Sequence, residues 1–232
     1  MSTTLAAAVV ATTVRLVASH AYADGAPPGF SGGFKEESCH ACHFDAEPNS
    51  GPGRVTIEGV PATFAPGERY ALTITLRRAG MKLAGFQLAA RFKDSGAQAG
   101  TIAPGPGDAE RVGVETQAGV HYASQKKLGA PVGAADAAKW TLTWTAPESG
   151  GPVIFHVSAN AADGNDSADG DFVYTSTAQS APPPQSDYPV ATLVPRDTGR
   201  LSLRFRPGGA RQVETRRISG TPGCNPTHGL RH

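Results

Sequence analysis

Residues 140–145 read Trp-Thr-Leu-Thr-Trp-Thr, with a large apolar side chain at every second position. The same period of two runs through residues 70–77 (Tyr-Ala-Leu-Thr-Ile-Thr-Leu-Arg), residues 86–92 and residues 153–159. Because successive side chains of a strand point to opposite faces, each segment buries one face and leaves the other wetter. The pattern predicts strands whose core contains five large aromatic side chains, Trp140, Trp144, Phe86, Phe92 and Phe155.

Glycine and proline separate the periodic segments. The 232 residues include 28 glycines and 19 prolines, well above ordinary usage, with turn signals such as Pro66-Gly67 and Asp163-Gly164. About seven or eight short strands at this spacing predict an all-β fold, an immunoglobulin-like sandwich of two antiparallel sheets. We place this sandwich at residues 55–178.

The two ends of the chain differ from the periodic region. An apolar run followed by Ala21-Tyr-Ala predicts a signal peptide at residues 1–23 and export to the periplasm or the outside of the cell. The run is too short, and too interrupted by Arg15, to span a membrane. Residues 179–232 hold a proline-rich linker and an Arg- and Gly-rich tail, which we expect to be largely disordered. At most one isolated strand, around residues 201–205, is expected there.

Charge and motifs exclude several classes of function. The formal net charge is +1, so the composition gives no sign of binding to nucleic acid or anionic lipid. The sequence contains no serine–histidine–aspartate arrangement, phosphate-binding loop or HExxH motif, and we therefore expect no enzyme. Of the three cysteines, Cys224 lies apart in the tail and is expected to be a free thiol.

The other two cysteines form the sequence Cys39-His-Ala-Cys-His43 within residues 24–54. Two thiols at this spacing can add across the two vinyl groups of one porphyrin, and a histidine directly after the second can bind the iron. The spacing predicts one covalent haem c at Cys39 and Cys42, with His43 as the proximal iron ligand. Three other interpretations stay open: a zinc site that includes His40, a redox-active disulfide, and an inert cysteine pair.

A second axial ligand is harder to assign. Met81 is the only methionine after the predicted signal peptide, and the loop that carries it is expected to open at the haem end of the sandwich. We therefore predict Met81 as the distal iron ligand, with an apolar plug as the alternative role. His156 and His121 are weaker candidates, and a five-coordinate or water-ligated iron is a further alternative.

An acidic stretch follows the last long periodic segment. Asp163, Asn165, Asp166 and Asp169 lie close together in a glycine-containing loop. Carboxylate and amide oxygens are the ligands that calcium prefers, so the loop predicts a calcium site. Turn-forming residues also produce such clusters without any metal.

Several motifs in order resemble a known family, the bacterial reelin-type (Reeler-like) domain proteins, also called choice-of-anchor V proteins. The resemblance covers residues 24–176. It is carried by residues 23–33 ahead of the cysteine pair, residues 80–88, Trp140 to Pro147, and residues 159–172. It implies an immunoglobulin-like sandwich outside the cytoplasm, often preceded by a cytochrome-type motif, with association at the cell surface.

Two functions follow from these features. The first is an exported monohaem c-type protein that transfers electrons to or from an unidentified redox partner, with the sandwich as its scaffold. The second is a non-enzymatic adhesion or binding module whose cysteine segment is structural or binds zinc.

Overall fold

The structure, a computed structural model, describes Tyr22, residues 24–133, residues 135–184, and the backbone of residues 190–195 and 201–206. The chain divides into two units, Met1–Pro183 and Pro184–His232. In chain order, the strands of the first unit are β1 (Arg54–Glu58), β2 (Arg69–Arg77), β3 (Leu83–Phe92), β4 (Thr101–Pro104), β5 (Val112–Gln117), β6 (Val120–Gln125), β7 (Ala137–Thr145), β8 (Val153–Ala162) and β9 (Phe172–Ser180). Two short 3₁₀ turns, Cys39–Ala41 and Lys127–Gly129, complete it.

The nine strands form two antiparallel sheets. The first sheet has the order β1-β2-β7-β4 and the second the order β5-β6-β3-β8-β9. The predicted all-β sandwich is confirmed, with strands β4 and β5 shorter and less periodic than the segments that decided the fold. Within the described residues, no helix is long and apolar enough to cross a membrane.

The core lies between the sheets and draws on the alternate positions that the sequence predicts. Trp140, Leu142 and Trp144 of β7 are fully buried, and Leu142 lies opposite Leu72 of β2. The Trp144 ring packs edge-to-face on Phe155 of the other sheet at a centroid distance of 4.9 Å. Each buried indole also needs a hydrogen-bond acceptor; the Trp140 and Trp144 Nε1–H groups donate to loop carbonyls at 3.0 and 2.9 Å.

The outer face of the second sheet is not open to water, contrary to what the alternation alone suggests. Residues 24–53, which we call the strap, lie across it. The Phe30 amide donates to Gln87 Oε1 at 2.6 Å, and Gln87 Nε2 donates to the carbonyls of Ala26 and Pro27 at 3.1 and 2.8 Å. Gln87 is fully buried as a result. The strap satisfies these buried polar groups with its own backbone, as burial requires.

A charged cluster holds the middle of the strap. The Arg91 guanidinium of β3 forms an ion pair with Glu36 and a hydrogen bond with Tyr122. Ser31 Oγ donates to the same Glu36 carboxylate at 2.6 Å. Burial, together with the neighbouring Glu36 carboxylate, raises the pKa of Tyr122 to about 12. The strap is therefore fixed by polar contacts, and its apolar side chains contribute little to the sandwich core.

In the second unit, β10 (Val190–Pro195) pairs antiparallel with β11 (Leu201–Arg206). The prediction of one isolated strand in this region is wrong, because residues 201–206 find a partner strand only a short distance earlier in the chain. The rest of the predicted tail, including Cys224, and the predicted signal peptide except Tyr22 lie outside the described residues.

Candidate functional site

The cysteine pair sits on the 3₁₀ turn Cys39–Ala41 in the strap. Ser38 precedes the turn, and its hydroxyl accepts the His40 amide at 3.2 Å, as a helix-capping side chain does. The Cys39 amide donates to Ser158 Oγ of β8 at 3.0 Å, which fixes the turn to the sheet. The His43 amide then donates to the Cys39 carbonyl at 3.0 Å. Both cysteines are free thiols, Cys39 half-buried and Cys42 exposed.

An apolar groove opens where this turn meets the end of the second sheet. It holds about 960 Å³ of empty space, its open mouth included. Cys39, Cys42 and His43 line one part of it. The remaining wall is mostly apolar and is formed by Tyr22, Ala26, Pro27, Phe30, Leu83, Ala84, Gly85, Phe86, Gln125, Ala130, Asn160 and Ala162. Leu83 stays 41% exposed in this wall, so an apolar ligand in the groove would cover it.

His43 is held by the β8–β9 region. Its Nδ1 lies 2.7 Å from Asp171 Oδ2 and 3.2 Å from Asn160 Nδ2. Asn160 Nδ2 also donates to Asp171 Oδ2 at 3.0 Å, and Asp171 is only 1% exposed. Since Nδ1 is engaged, Nε2 is the ring nitrogen that remains for a metal.

The environment of Cys39 argues against a redox-active disulfide. Burial raises the pKa of the Cys39 thiol to about 11, although the hydrogen bond with Ser158 acts in the opposite direction. Redox-active cysteine pairs instead have a thiol whose pKa is lowered, often by a helix N-terminus. Cys39 is therefore a neutral thiol near neutral pH, with weak nucleophilicity until a catalyst or reactive partner engages it.

The zinc interpretation receives no geometric support either. Among the described residues, no group of three or more His, Cys, Asp or Glu side chains is arranged to hold a metal ion. The turn puts the thiols and the His43 ring along an open groove, and His40 is not part of its wall. A closed tetrahedral site would need four converging ligands.

Met81 lies in the loop before β3, and this loop leads directly into Leu83 and Ala84 of the groove. The structure therefore places this loop at the end of the sandwich where the cysteine pair lies. The Met81 side chain itself is only 2% exposed, belongs to the hydrophobic core and does not line the groove. Met81 therefore has the packing role that the sequence analysis gives as the alternative. Ligation of iron by Met81 stays a prediction, without a geometric basis.

The other two histidine candidates also lie away from the groove wall. His156 packs beneath Phe34 of the strap, with ring centroids 5.3 Å apart. His121 is paired through its backbone, which donates to Gln98 Oε1.

The acidic loop is organised by its own hydrogen bonds. Asn165 donates from its backbone to Asp163 Oδ1 at 3.0 Å and from its side chain to Asp163 Oδ2 and the Asp169 carbonyl. These are the contacts of turn-forming residues. Asp163, Asn165, Asp166 and Asp169 are exposed, and the three carboxylates among them do not form a group that could hold a metal ion. Calcium binding there stays a prediction that the loop geometry does not support.

Two residues of the site were missed by the sequence. Asp171 was visible only as one more carboxylate of the acidic loop, and Asn160 as one more polar position of β8. The sequence does contain one indication of Asp171. It is the acidic residue directly before β9, at the point where the loop returns to the edge of the sheet.

No family model matches the sequence, and no curated protein matches it. Among solved structures, one similar chain is the human F-spondin reeler domain, with 18% identity over 59% of this chain and 96% of that chain and a TM-score of 0.42. Another is the cohesin module of a Clostridium perfringens family 33 glycoside hydrolase, with 13% identity, 56% and 96% coverage, and a TM-score of 0.38. At this level of similarity, function has to be derived from the site itself.

Proposed function

We propose that this chain is an exported haem protein in which Cys39 and Cys42 hold one haem c and His43 is an axial ligand of its iron. The observation that carries the proposal is the apolar groove, because the two thiols and the imidazole line the same cavity. Its wall is mostly apolar with a few polar groups, as is typical of ligand sites. The bound haem would supply one-electron chemistry at iron, which suits an electron carrier.

Each part of the groove has a task in this proposal. The Cys39 and Cys42 thiols each add across one vinyl group, so that sulfur bonds to one carbon and the thiol hydrogen passes to the other; no oxidant is consumed. Phe30, Leu83 and Phe86 exclude water from the macrocycle. Export would remove Tyr22 and leave that side of the groove more open to a redox partner.

The test is the intact mass and visible spectrum of protein produced in a bacterial periplasm with haem c attachment machinery. Wild type should be heavier than its mature polypeptide by one haem and show the reduced α-band of haem c. Cys39→Ser/Cys42→Ser should lose both signals. Cys224→Ser, which removes the cysteine outside the Cys39–His43 segment, should keep them. Colourless wild-type protein, folded and with both thiols unmodified, would overturn the proposal.

A second candidate is a non-enzymatic binding module outside the cell. The observation that favours it is that every residue of the main hydrophobic core lies at Val55 or beyond. The sandwich can thus pack without the strap, which would then be a structural addition. Colourless but folded wild-type protein in the experiment above is the result that this candidate predicts.

A further inference from the structure

We propose that Asp171 is a positioning residue for His43, which fixes the ring with its proton on Nδ1 and holds bound haem iron at a lower reduction potential. The inference rests on the proposed function, because its consequence for the potential presumes a haem on His43. The tautomer that it assigns concerns the protein alone.

The distances decide where the proton of the neutral ring sits. Asp171 Oδ2 lies 2.7 Å from His43 Nδ1, and an ionised carboxylate can only accept hydrogen bonds. The proton must therefore be on Nδ1, since two lone pairs at this distance would repel each other. Asn160 Nδ2 donates one of its two hydrogens to the same oxygen at 3.0 Å, and a protonated Nδ1, 3.2 Å from Asn160 Nδ2, has no lone pair to accept the other. Nε2 is left with a free lone pair, as an iron ligand requires.

The surroundings of Asp171 strengthen the electrostatic effect of its carboxylate on the His43 ring. The carboxylate is 1% exposed, so water does not share its charge. Besides His43 it accepts from Asn160 Nδ2 and, through Oδ1, from the Asp163 amide at 3.2 Å. Within the described part of the chain, no lysine or arginine forms an ion pair with it. Its partners among the described residues are therefore His43, Asn160 and the Asp163 amide.

A carboxylate in this position makes the imidazole a stronger donor to a metal. A more electron-rich ligand stabilises the ferric state over the ferrous state, which lowers the reduction potential. The acidic loop thus has a task that does not involve calcium. It places Asp171 at the edge of the sheet, beside the part of the strap that contains His43.

The test compares Asp171→Asn with Asp169→Asn in haem-loaded protein. Both remove one negative charge from the same loop, but Asp169 is exposed and its side chain does not contact His43. At a fixed ambient potential, Asp171→Asn should lower the ratio of oxidised to reduced protein about tenfold, by analogy with the 10- to 100-fold loss of metal affinity when a hydrogen-bond partner of a metal ligand is removed. For a one-electron couple this is a rise of 59 mV in potential. Asp169→Asn should change the ratio much less.

Two outcomes overturn the inference while the proposed function stands: Asp171→Asn keeps the wild-type potential, or Asp169→Asn shifts it equally. Absence of haem from the wild type instead defeats the proposed function. A second measurement covers the case in which Asp171→Asn does not fold. In wild-type protein without haem, at a pH where the ring ¹⁵N shifts show a neutral His43, those shifts should report the Nδ1–H tautomer. The Nε2–H tautomer, which isolated histidine favours, would refute the assignment.

Discussion

One buried side chain, Gln87, makes three of the hydrogen bonds that dock the strap, and the replacement Gln87→Met tests its contribution. Methionine keeps the length and the unbranched shape of glutamine but removes its amide. Phe30, Ala26 and Pro27 then lose their hydrogen-bond partners beneath the strap. We expect the strap to open far more often, while the sandwich core beneath it stays packed.

The size of the effect follows from the contacts. Three hydrogen bonds to the strap, of 2.6, 3.1 and 2.8 Å, are lost, each with a net contribution of about 1 kcal/mol. Backbone groups that remain buried without partners add to this loss, and the apolar methionine side chain offsets part of it. We therefore expect the free energy of strap docking to fall by about 2–4 kcal/mol. At 1.4 kcal/mol per factor of ten, the open population rises about 30- to 700-fold.

Amide hydrogen exchange followed by NMR measures this opening. The reporters are two strap amides bonded to the sheet: the Cys39 amide, which donates to Ser158 Oγ, and the Asn49 amide, which donates to the Val173 carbonyl at 2.8 Å. The control is Gln98→Met, which removes the same group from a half-buried glutamine whose hydrogen-bond partners, His121 and Gly100, are not strap residues. Unchanged exchange at both reporters in Gln87→Met, or equal acceleration in the control, would refute the argument.

Three further predictions concern the strap and the core. In Gly33→Ala the new Cβ would lie 2.2 Å from the His156 ring, so urea unfolding should show a free energy of unfolding lower by about 1–3 kcal/mol. The control Gly133→Ala, with open space around the new Cβ, should be nearly neutral. Burial, together with the Arg91 charge, lowers the pKa of His156 below 6.5 in the folded state. Because the unfolded state then binds more protons, the free energy of unfolding should fall as the pH drops below 6.5. His156→Gln should flatten that fall, and an unchanged pH slope would contradict the account. Met81→Leu conserves core volume and should cost less than about 1.5 kcal/mol, with the haem potential unchanged; a lowered potential would instead indicate thioether ligation.

The sandwich could be predicted because its information is local. Every second residue of β2, β3, β7 and β8 is apolar, and a period of two assigns a strand and its buried face together. The strap could not be predicted in the same way. Its backbone follows no period, and it is fixed by single side chains such as Gln87 and Arg91, which the pattern marks as solvent-facing. A polar residue on an outer face gives no local sign that another segment covers it.

The candidate site divides along the same line. Cys39, Cys42 and His43 are adjacent in sequence, so their spacing alone indicates the chemistry. Asn160 lies more than a hundred residues farther along the chain than His43, and only the paths of β8 and β9 bring it and Asp171 to the ring. Met81 shows the converse error. Topology placed its loop correctly, but the direction of one side chain depends on packing that the topology does not determine.

The site therefore combines two parts of different stability. The sheet contributes Phe86 and Asn160, whose backbone belongs to a ladder that the core stabilises. The strap contributes the thiols and His43, which reach the groove only while polar contacts hold it on the sheet. Local opening costs less than global unfolding where few apolar contacts are lost. An open strap would separate His43 from Asp171 without unfolding the sandwich. Covalent attachment of a ligand that bridges the strap and the groove should therefore slow hydrogen exchange at strap amides far more than at amides of the core strands.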